Sequence, residues 1–228
     1  MSESPRIGIF GGTFDPIHSG HLDVAKSARR SLNLTKIIFV PTRISTHRNS
    51  APIASGRDRL AMVELAITDA RSYRVSDQEL RKDGPIYTSD TLEMFLKAGT
   101  SPLQLFFIAG ADAFADIASW YNYPHILDLA HFLIVSRPSQ SAAALRNQLP
   151  TLASRMKDVS MQVSENSPNR QTWIWLVDAK TRNISSSDIK IRLANGESVT
   201  DLVPPLVAAH IKQYRTYDIR DTAGGVNG

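Results

Sequence analysis

Two histidines three residues apart, His18 and His21, follow a pair of glycines, Gly11 and Gly12, within the stretch GIFGGTFDPIHSGHLDVAKSARRSL that runs from Gly8 to Leu32. Such residues are poor choices for a connection that need only be stable, because the glycines raise the entropy cost of ordering and Pro16 removes a backbone donor. Gly11 and Gly12 instead offer backbone N–H groups to close approach just before a helix, whose positive end favours an anion, so the turn is suited to cradle phosphate. For two glycines alone, a plain strand-to-helix turn would be the simpler reading. The histidines change that balance: near a helix start they share a face of the first turn, with imidazole N–H groups directed at whatever the glycines hold. Gly20, between them, permits close approach. Neither G-x-x-x-x-G-K-[ST] nor G-x-G-x-x-G fits the stretch, so neither common phosphate loop accounts for it. Zinc is the rival use of a histidine pair, but no Glu completes H-E-x-x-H and two ligands are too few. The chemistry expected is hydrogen bonding to a phosphoryl group, with no protein metal site.

Positioning these residues requires a frame, and its pattern is legible. RIGIF, KIIFVP, LQLFFIAG, HFLIVSRP and TWIWLV are short apolar runs of the kind that form strands buried on both faces. SGHLDVAKSARRSL and SGRDRLAMVELAITD carry apolar residues at helical spacing, and SDTLEMFLKAG begins with cap-type residues and ends at Gly99. The alternation predicts an α/β fold: a mostly parallel central sheet with helices on both faces. In such sheets ligands bind beyond the carboxyl ends of the strands, where the glycine pair falls if RIGIF is the first strand. The tryptophans of TWIWLV are expected in or beside the sheet. Residues 139–169 are more polar and less periodic, and read as including a solvated loop. A single domain over residues 1–220 is expected, with a mobile tail at 221–228.

Composition narrows the function classes. A chain of 228 residues with 42% hydrophobic content can bury a sizeable core, and disorder is not expected. The absence of cysteine excludes disulfides, zinc-thiolate sites and thiol catalysis, and fits a reducing compartment. MSESPRIGIFGG lacks the regions of a signal peptide and no run approaches a membrane span, so a cytoplasmic protein with no membrane partner is expected. The net charge of +4 is scattered rather than blocked, which favours a small anionic substrate over a nucleic acid.

GGTFDPIHSGH resembles the signature of the nucleotidyltransferases with an (H/T)xGH motif, and its glycine-paired form resembles the bacterial nicotinate-nucleotide adenylyltransferases. Later segments agree in order. VPTRISTHR is similar to the family's second-strand loop, with Thr46 where a proline is usual; RDRLAMVELAI is similar to the following helix and GPIYTSDTL to the Y-T-x-x-T-L segment. FIAGADAFADIASWYNY is similar to the G-x-D segment with its tryptophan and aromatic, and NISSSDIKIRLANGESVTDLVPPLVAAHI to the C-terminal ISST-x-I-R region. The resemblance spans nearly the whole chain and implies a Rossmann-like nucleotidyltransferase fold that transfers the adenylyl group of ATP to nicotinate mononucleotide, releasing pyrophosphate.

The resemblance also implies roles. His18 and His21 would stabilise charge at the reacting α-phosphate; Gly11, Gly12, Thr13 and Phe14 would carry the backbone approach to ATP, with Arg48, Ser185, Ser186, Ser187 and Lys190 on its phosphates and Arg137 beside the adenine. Lys190 departs from the family's usual arginine, giving a point charge rather than a fork, and Arg192 cannot replace it from two positions along a helix. Backbone groups of Thr88 and Tyr121 would meet the nicotinate carboxylate, Trp120 would stack on the pyridine ring, and Asp112 would hold a nucleotide sugar. Mg²⁺ is implied with ATP, and no carboxylate cluster offers an all-protein cage. Rivals within the superfamily are nicotinamide mononucleotide as acceptor and, against the SWY context and the length, a phosphopantetheine adenylyltransferase. From a different class, a non-catalytic nucleotide- or RNA-binding module would not require both histidines.

Overall fold

The computed structural model describes residues 4–43, 51–136, 142–159 and 171–218; Arg48, Arg137 and the 221–228 segment lie outside them. In chain order the elements are β1 (Ile7–Gly12), α1 (Ser19–Ser31), β2 (Lys36–Pro41), α2 (Gly56–Ile67), β3 (Tyr73–Val75), α3 (Thr88–Lys97) and β4 (Leu105–Gly110). Then follow α4 (Ala111–Ala115), α5 (Ile126–Leu129), β5 (His131–Val135), α6 (Leu145–Gln148), β6 (Met156–Asp158), β7 (Ile174–Val177), α7 (Ser186–Ala194) and α8 (Pro205–Tyr214). Short 3₁₀ turns join several of them.

Among the described residues seven strands form one sheet in the order β3-β2-β1-β4-β5-β7-β6, and every pairing is parallel. Parallel neighbours need crossovers, and here helices supply cover for both faces. The two-residue alternation of the central strands sorts their side chains into two cores. Ile7 and Ile9, Leu105 and Phe107, Phe132 and Ile134, and Ile174 and Leu176 face one core, with Leu92 of α3, Phe114 of α4 and Ile126 of α5. Phe10, Phe106, Ile108, Leu133, Val135, Trp175 and Val177 face the other, with Val24 and Ala28 of α1, Met62 of α2, Ile189 of α7 and Val207 of α8.

All five expected strands are present, as are the three expected helices. β1 runs two residues further than RIGIF, so Gly11 and Gly12 are the end of a strand rather than a turn; they pair with Val40 and Pro41 of β2. β3 and β6, three residues each, sit at the two edges of the sheet, and β6 lies inside the stretch read as polar and less periodic. A three-residue edge strand leaves too short a pattern for alternation to reveal. Among the described residues no helix is long and apolar enough to cross a membrane.

Candidate active site

The strand order reverses beside β1, and that is where the sheet opens. β1 pairs with β2 as far as Gly12, but with β4 only as far as Ile9, which pairs with Phe107. From Phe10 to Gly12 the β4 side of the strand is therefore released from the ladder, at the carboxyl end, where open parallel sheets bind ligands. A cavity of about 530 Å³ occupies the gap. Gly11, Gly12, Thr13, Phe14, His18, His21, Thr88, Asp112, Trp120 and Ser186 all line it, so ten of the expected site residues meet in one place. Gly12 is fitted to its neighbour, since a Cβ there would come within 3.0 Å of the Phe14 ring. Phe14 itself holds a left-handed backbone, φ 48°, at a cost of about 1–3 kcal/mol. Its buried ring packs edge-on against Phe10 and His21, with centroids 5.5 and 5.1 Å away.

His18 is the N-cap of α1 and His21 its third residue. Each side chain serves the other's backbone: His21 N–H donates to His18 Nδ1 at 3.3 Å, and His18 N–H donates to His21 Nδ1 at 3.2 Å. This is a capping box built from two imidazoles, and it satisfies a helix-terminal N–H that would otherwise lack a partner. The rings stack at 3.6 Å between centroids. Because both Nδ1 atoms accept, each neutral ring carries its proton on Nε2. Gly20 makes room for the pair: a Cβ there would stand 3.1 Å from His18 Nδ1 and 3.3 Å from the Arg182 carbonyl.

Behind the cavity wall two buried charges pin the loop that delivers the histidines. Asp15, 1% exposed, accepts four hydrogen bonds: from Ile53 N–H and Ala54 N–H at 3.1 and 3.0 Å, from Lys190 Nζ at 3.0 Å and from Tyr217 Oη at 2.9 Å. Burial works to raise its pKa, but the Ala54 and Ile53 N–H groups, then Lys190 and Tyr217, together hold the carboxyl below its ordinary value. Arg59, 2% exposed, donates to the carbonyls of Thr13 at 2.7 Å and Thr42 at 2.6 Å, and more weakly to those of Ala54 and Arg43. Ala54 is thus gripped by its N–H and by its carbonyl, and the loops after β1 and β2 are tied to the start of α2.

The opposite wall is built by α3 and the segment after α4. Thr88 opens α3, so its N–H is one of those a helix leaves without an internal acceptor. Tyr121 is 56% exposed and does not line the cavity, but its ring stacks on that of Tyr87 at 4.4 Å, which draws the two segments together. Trp120 lines the cavity and is 7% exposed, held edge-on against Phe107 at 6.0 Å. Asp112 stands exposed in the first turn of α4.

The three expected serines are placed differently, and of them only Ser186 lines the cavity. Ser185 caps α7 by accepting from Asp188 N–H, the Ser186 hydroxyl donates to the Pro16 carbonyl at 3.0 Å, and Ser187 is exposed outside the cavity lining. Lys190 also lies off the cavity, turned to Asp15. Sequence reasoning missed Arg182 and Glu79, both of which line the cavity. Arg182 follows β7, in the class of loops where ligands gather, and holds Asp23 of α1 through two bonds of 2.8 and 2.9 Å. That contact is the largest influence keeping the Asp23 carboxyl below its ordinary pKa. Glu79 comes from a polar run with no spacing signal. It is 5% exposed, accepts from Thr91 Oγ1 at 2.5 Å, and is pushed up to about 7, by burial first, with Thr91 opposing and Asp90 adding to the shift.

Comparison with known proteins matches this arrangement to a family. Residues 9–192 match the family model described as cytidylyltransferase-like. A protein of Desulfatibacillum aliphaticivorans named probable nicotinate-nucleotide adenylyltransferase is 36% identical over 221 residues, covering 93% of this chain and 99% of the relative. One of Aeromonas hydrophila with the same name is 37% identical over 213 residues, covering 93% and 97%. The fold matches the structure titled Plasmodium falciparum nicotinic acid mononucleotide adenylyltransferase complexed with NaAD, at a TM-score of 0.68 and 21% identity, over 94% of this chain and 98% of that one. The reversal of strand order, the paired histidines and these full-length relatives lead to one assignment: the chain belongs to the cytidylyltransferase-like nucleotidyltransferases, within the nicotinate-nucleotide adenylyltransferase family.

Proposed function

We propose that the protein transfers the adenylyl group of ATP to the 5′-phosphate of nicotinate mononucleotide, giving nicotinate adenine dinucleotide and pyrophosphate in NAD biosynthesis. The observation that carries this reading is the histidine capping box at the open end of β1, which fixes two Nε2–H donors beside a strand end released from its ladder. The full-length relatives support it by their names. An oxygen of the acceptor phosphate attacks the α-phosphorus, the bond to the β-phosphate oxygen breaks, and pyrophosphate leaves. The acceptor is already anionic, so the chain needs no nucleophile of its own, and positioning with charge stabilisation suffices. His18 and His21 donate to the α-phosphate oxygens as charge grows there, and the backbone of Gly11 to Phe14 approaches the nucleotide. The N–H of Thr88, with that of Tyr121, meets the nicotinate carboxylate, Trp120 lies against the pyridine ring, and Asp112 takes a sugar hydroxyl.

Among the described residues no group of three or more His, Asp or Glu could hold a metal ion. Mg²⁺ would come with ATP, on its phosphate oxygens. Bound there, it would neutralise phosphate charge. The absence of cysteine suits a reducing compartment, and we place the enzyme in the cytoplasm. Pyrophosphate release with ATP, Mg²⁺ and each mononucleotide in parallel tests the reading. Release with nicotinate mononucleotide in preference to nicotinamide mononucleotide is expected; none with either, from folded protein, rejects it.

A further inference from the structure

Glu79 is a buried carboxyl in the wall of a cavity meant for anions, and nothing in the chemistry above uses it. Its partner Thr91 lies three residues after Thr88 on α3, so the two share a helix face one turn apart. The Glu79 carboxyl is therefore bonded to α3 one helical turn along from Thr88, whose N–H is proposed to receive the acceptor's carboxylate, and Glu79, Ile86 and Thr88 line the same cavity. Among the described residues no cation is bonded to it. Asp90, on the same helix, is a like charge and is taken up by Tyr87 N–H at 2.9 Å. On its own turn Arg81 is paired with Asp77 at 2.7 Å. Among the described residues the other titratable or charged groups lining the cavity are His18, His21, Asp112, Asp116 and Arg182, of which Arg182 is bonded to Asp23.

We propose that Glu79 is a specificity residue for the acceptor: it holds a proton when the carboxylate of nicotinate is bound beside it, and when ionised it favours the carboxamide of nicotinamide instead. This rests on the acceptor reading given above. Two carboxylates in one poorly hydrated site repel, so binding the acid makes Glu79 take a proton from solvent. A carboxamide brings no charge and can donate its N–H to the ionised carboxylate, so no proton need be taken up. Because burial has already raised this carboxyl to about 7, the exchange falls within the working range. Preference for the acid should then decline with rising pH, by a mechanism located in one side chain.

Both mononucleotides carry the same phosphate, so the ratio of their kcat/KM values cancels its titration. In the wild-type protein the acid-over-amide ratio should fall at least about tenfold between about pH 6 and pH 8, as one proton is lost from a group near 7, and further to the extent that the ionised form favours the amide. Glu79→Gln keeps the shape and an acceptor for Thr91 but cannot ionise, and its ratio should stay flat over that range. Calorimetry of wild-type protein in buffers of different ionisation enthalpy supplies a measurement that needs no variant: at pH 8, nicotinate mononucleotide should bind with uptake of nearly one proton more than nicotinamide mononucleotide. A ratio that falls equally in both proteins, or equal proton uptake for the two ligands, would overturn the role of Glu79 while leaving adenylyl transfer intact. Absence of turnover with either mononucleotide would overturn both readings together.

Discussion

An imidazole can donate from either nitrogen, and in His18 and His21 the backbone makes the choice. With both Nδ1 atoms engaged by amide N–H groups, the donors are the two Nε2–H groups, held without side-chain freedom by the stacked rings. A donor oriented in advance is worth most against charge that develops only during reaction. His21→Ala should therefore lower kcat roughly 10²- to 10³-fold with a much smaller change in ATP affinity. Unchanged turnover with weakened ATP binding would assign His21 to ground-state binding instead. Gly20→Ala tests orientation without removing a donor. The added methyl would press on His18 Nδ1 at 3.1 Å and on the Arg182 carbonyl at 3.3 Å, and neither can retreat without loosening the cap. Turnover should fall by up to about 10²-fold in a protein that still unfolds cooperatively, because small displacements of reacting groups are costly. Full activity in that variant would show that the ring position tolerates movement.

At the scale of elements, four separate segments converge on Asp15: its own loop, the residues before α2, α7 through Lys190, and the chain after α8 through Tyr217. Lys190 was expected to hold phosphate, and its place beside Asp15 suggests a second way to reach the same end, by fixing the loop that carries His18. Lys190→Ala should cost stability by about 2–4 kcal/mol, somewhat under the range for breaking a fully buried pair because the lysine keeps some access to water. Asp15→Asn should cost a similar amount, and in urea unfolding the double variant should lose much less than the sum of the two. Strict additivity would dissolve the proposed link. Arg192, exposed on α7, should change little when replaced by alanine. The sequence made the long elements legible because their periods repeat: five strands and three helices could be read from residue spacing alone. Asp15 could not, since its partners lie as far as 202 positions away. Arg59 does leave a trace in the helical pattern. It occupies the buried stripe of α2 with Met62, Val63 and Ile67, an arginine where the helical period calls for an apolar side chain.

Across the whole molecule, two buried carboxyls of opposite shift, together with the buried imidazole of His131, should shape the stability curve. Asp15 has its pKa lowered by the donors around it, so it contributes stability that is present above its ordinary value of 3.8 and is lost as pH falls further. Glu79 runs the other way. Its pKa is raised from 4.5 to about 7, so between those values the folded protein keeps a proton that the unfolded chain has released, and stability falls as pH rises. At about 1.36 kcal/mol per unit the span corresponds to roughly 3 kcal/mol, all of it spent by about pH 8. Buried His131, lowered from 6.5 to about 4 chiefly by burial, opposes this between those values, because there the unfolded chain holds a proton that the folded protein lacks. The expectation is a nearly level profile up to about pH 6.5 and a decline from there toward pH 8 that Glu79 carries. Glu79→Gln should flatten that decline, and the variant should equal or exceed wild type in urea midpoint at pH 8 while falling below it near pH 5, where the neutral acid still donates or accepts as Thr91 requires. Asp15→Asn should leave the decline toward pH 8 in place, because its own titration lies far below. A Gln variant that still loses stability between pH 5 and pH 8 as steeply as wild type would place the responsible group elsewhere, and would remove the physical ground on which proton-linked choice of acceptor stands.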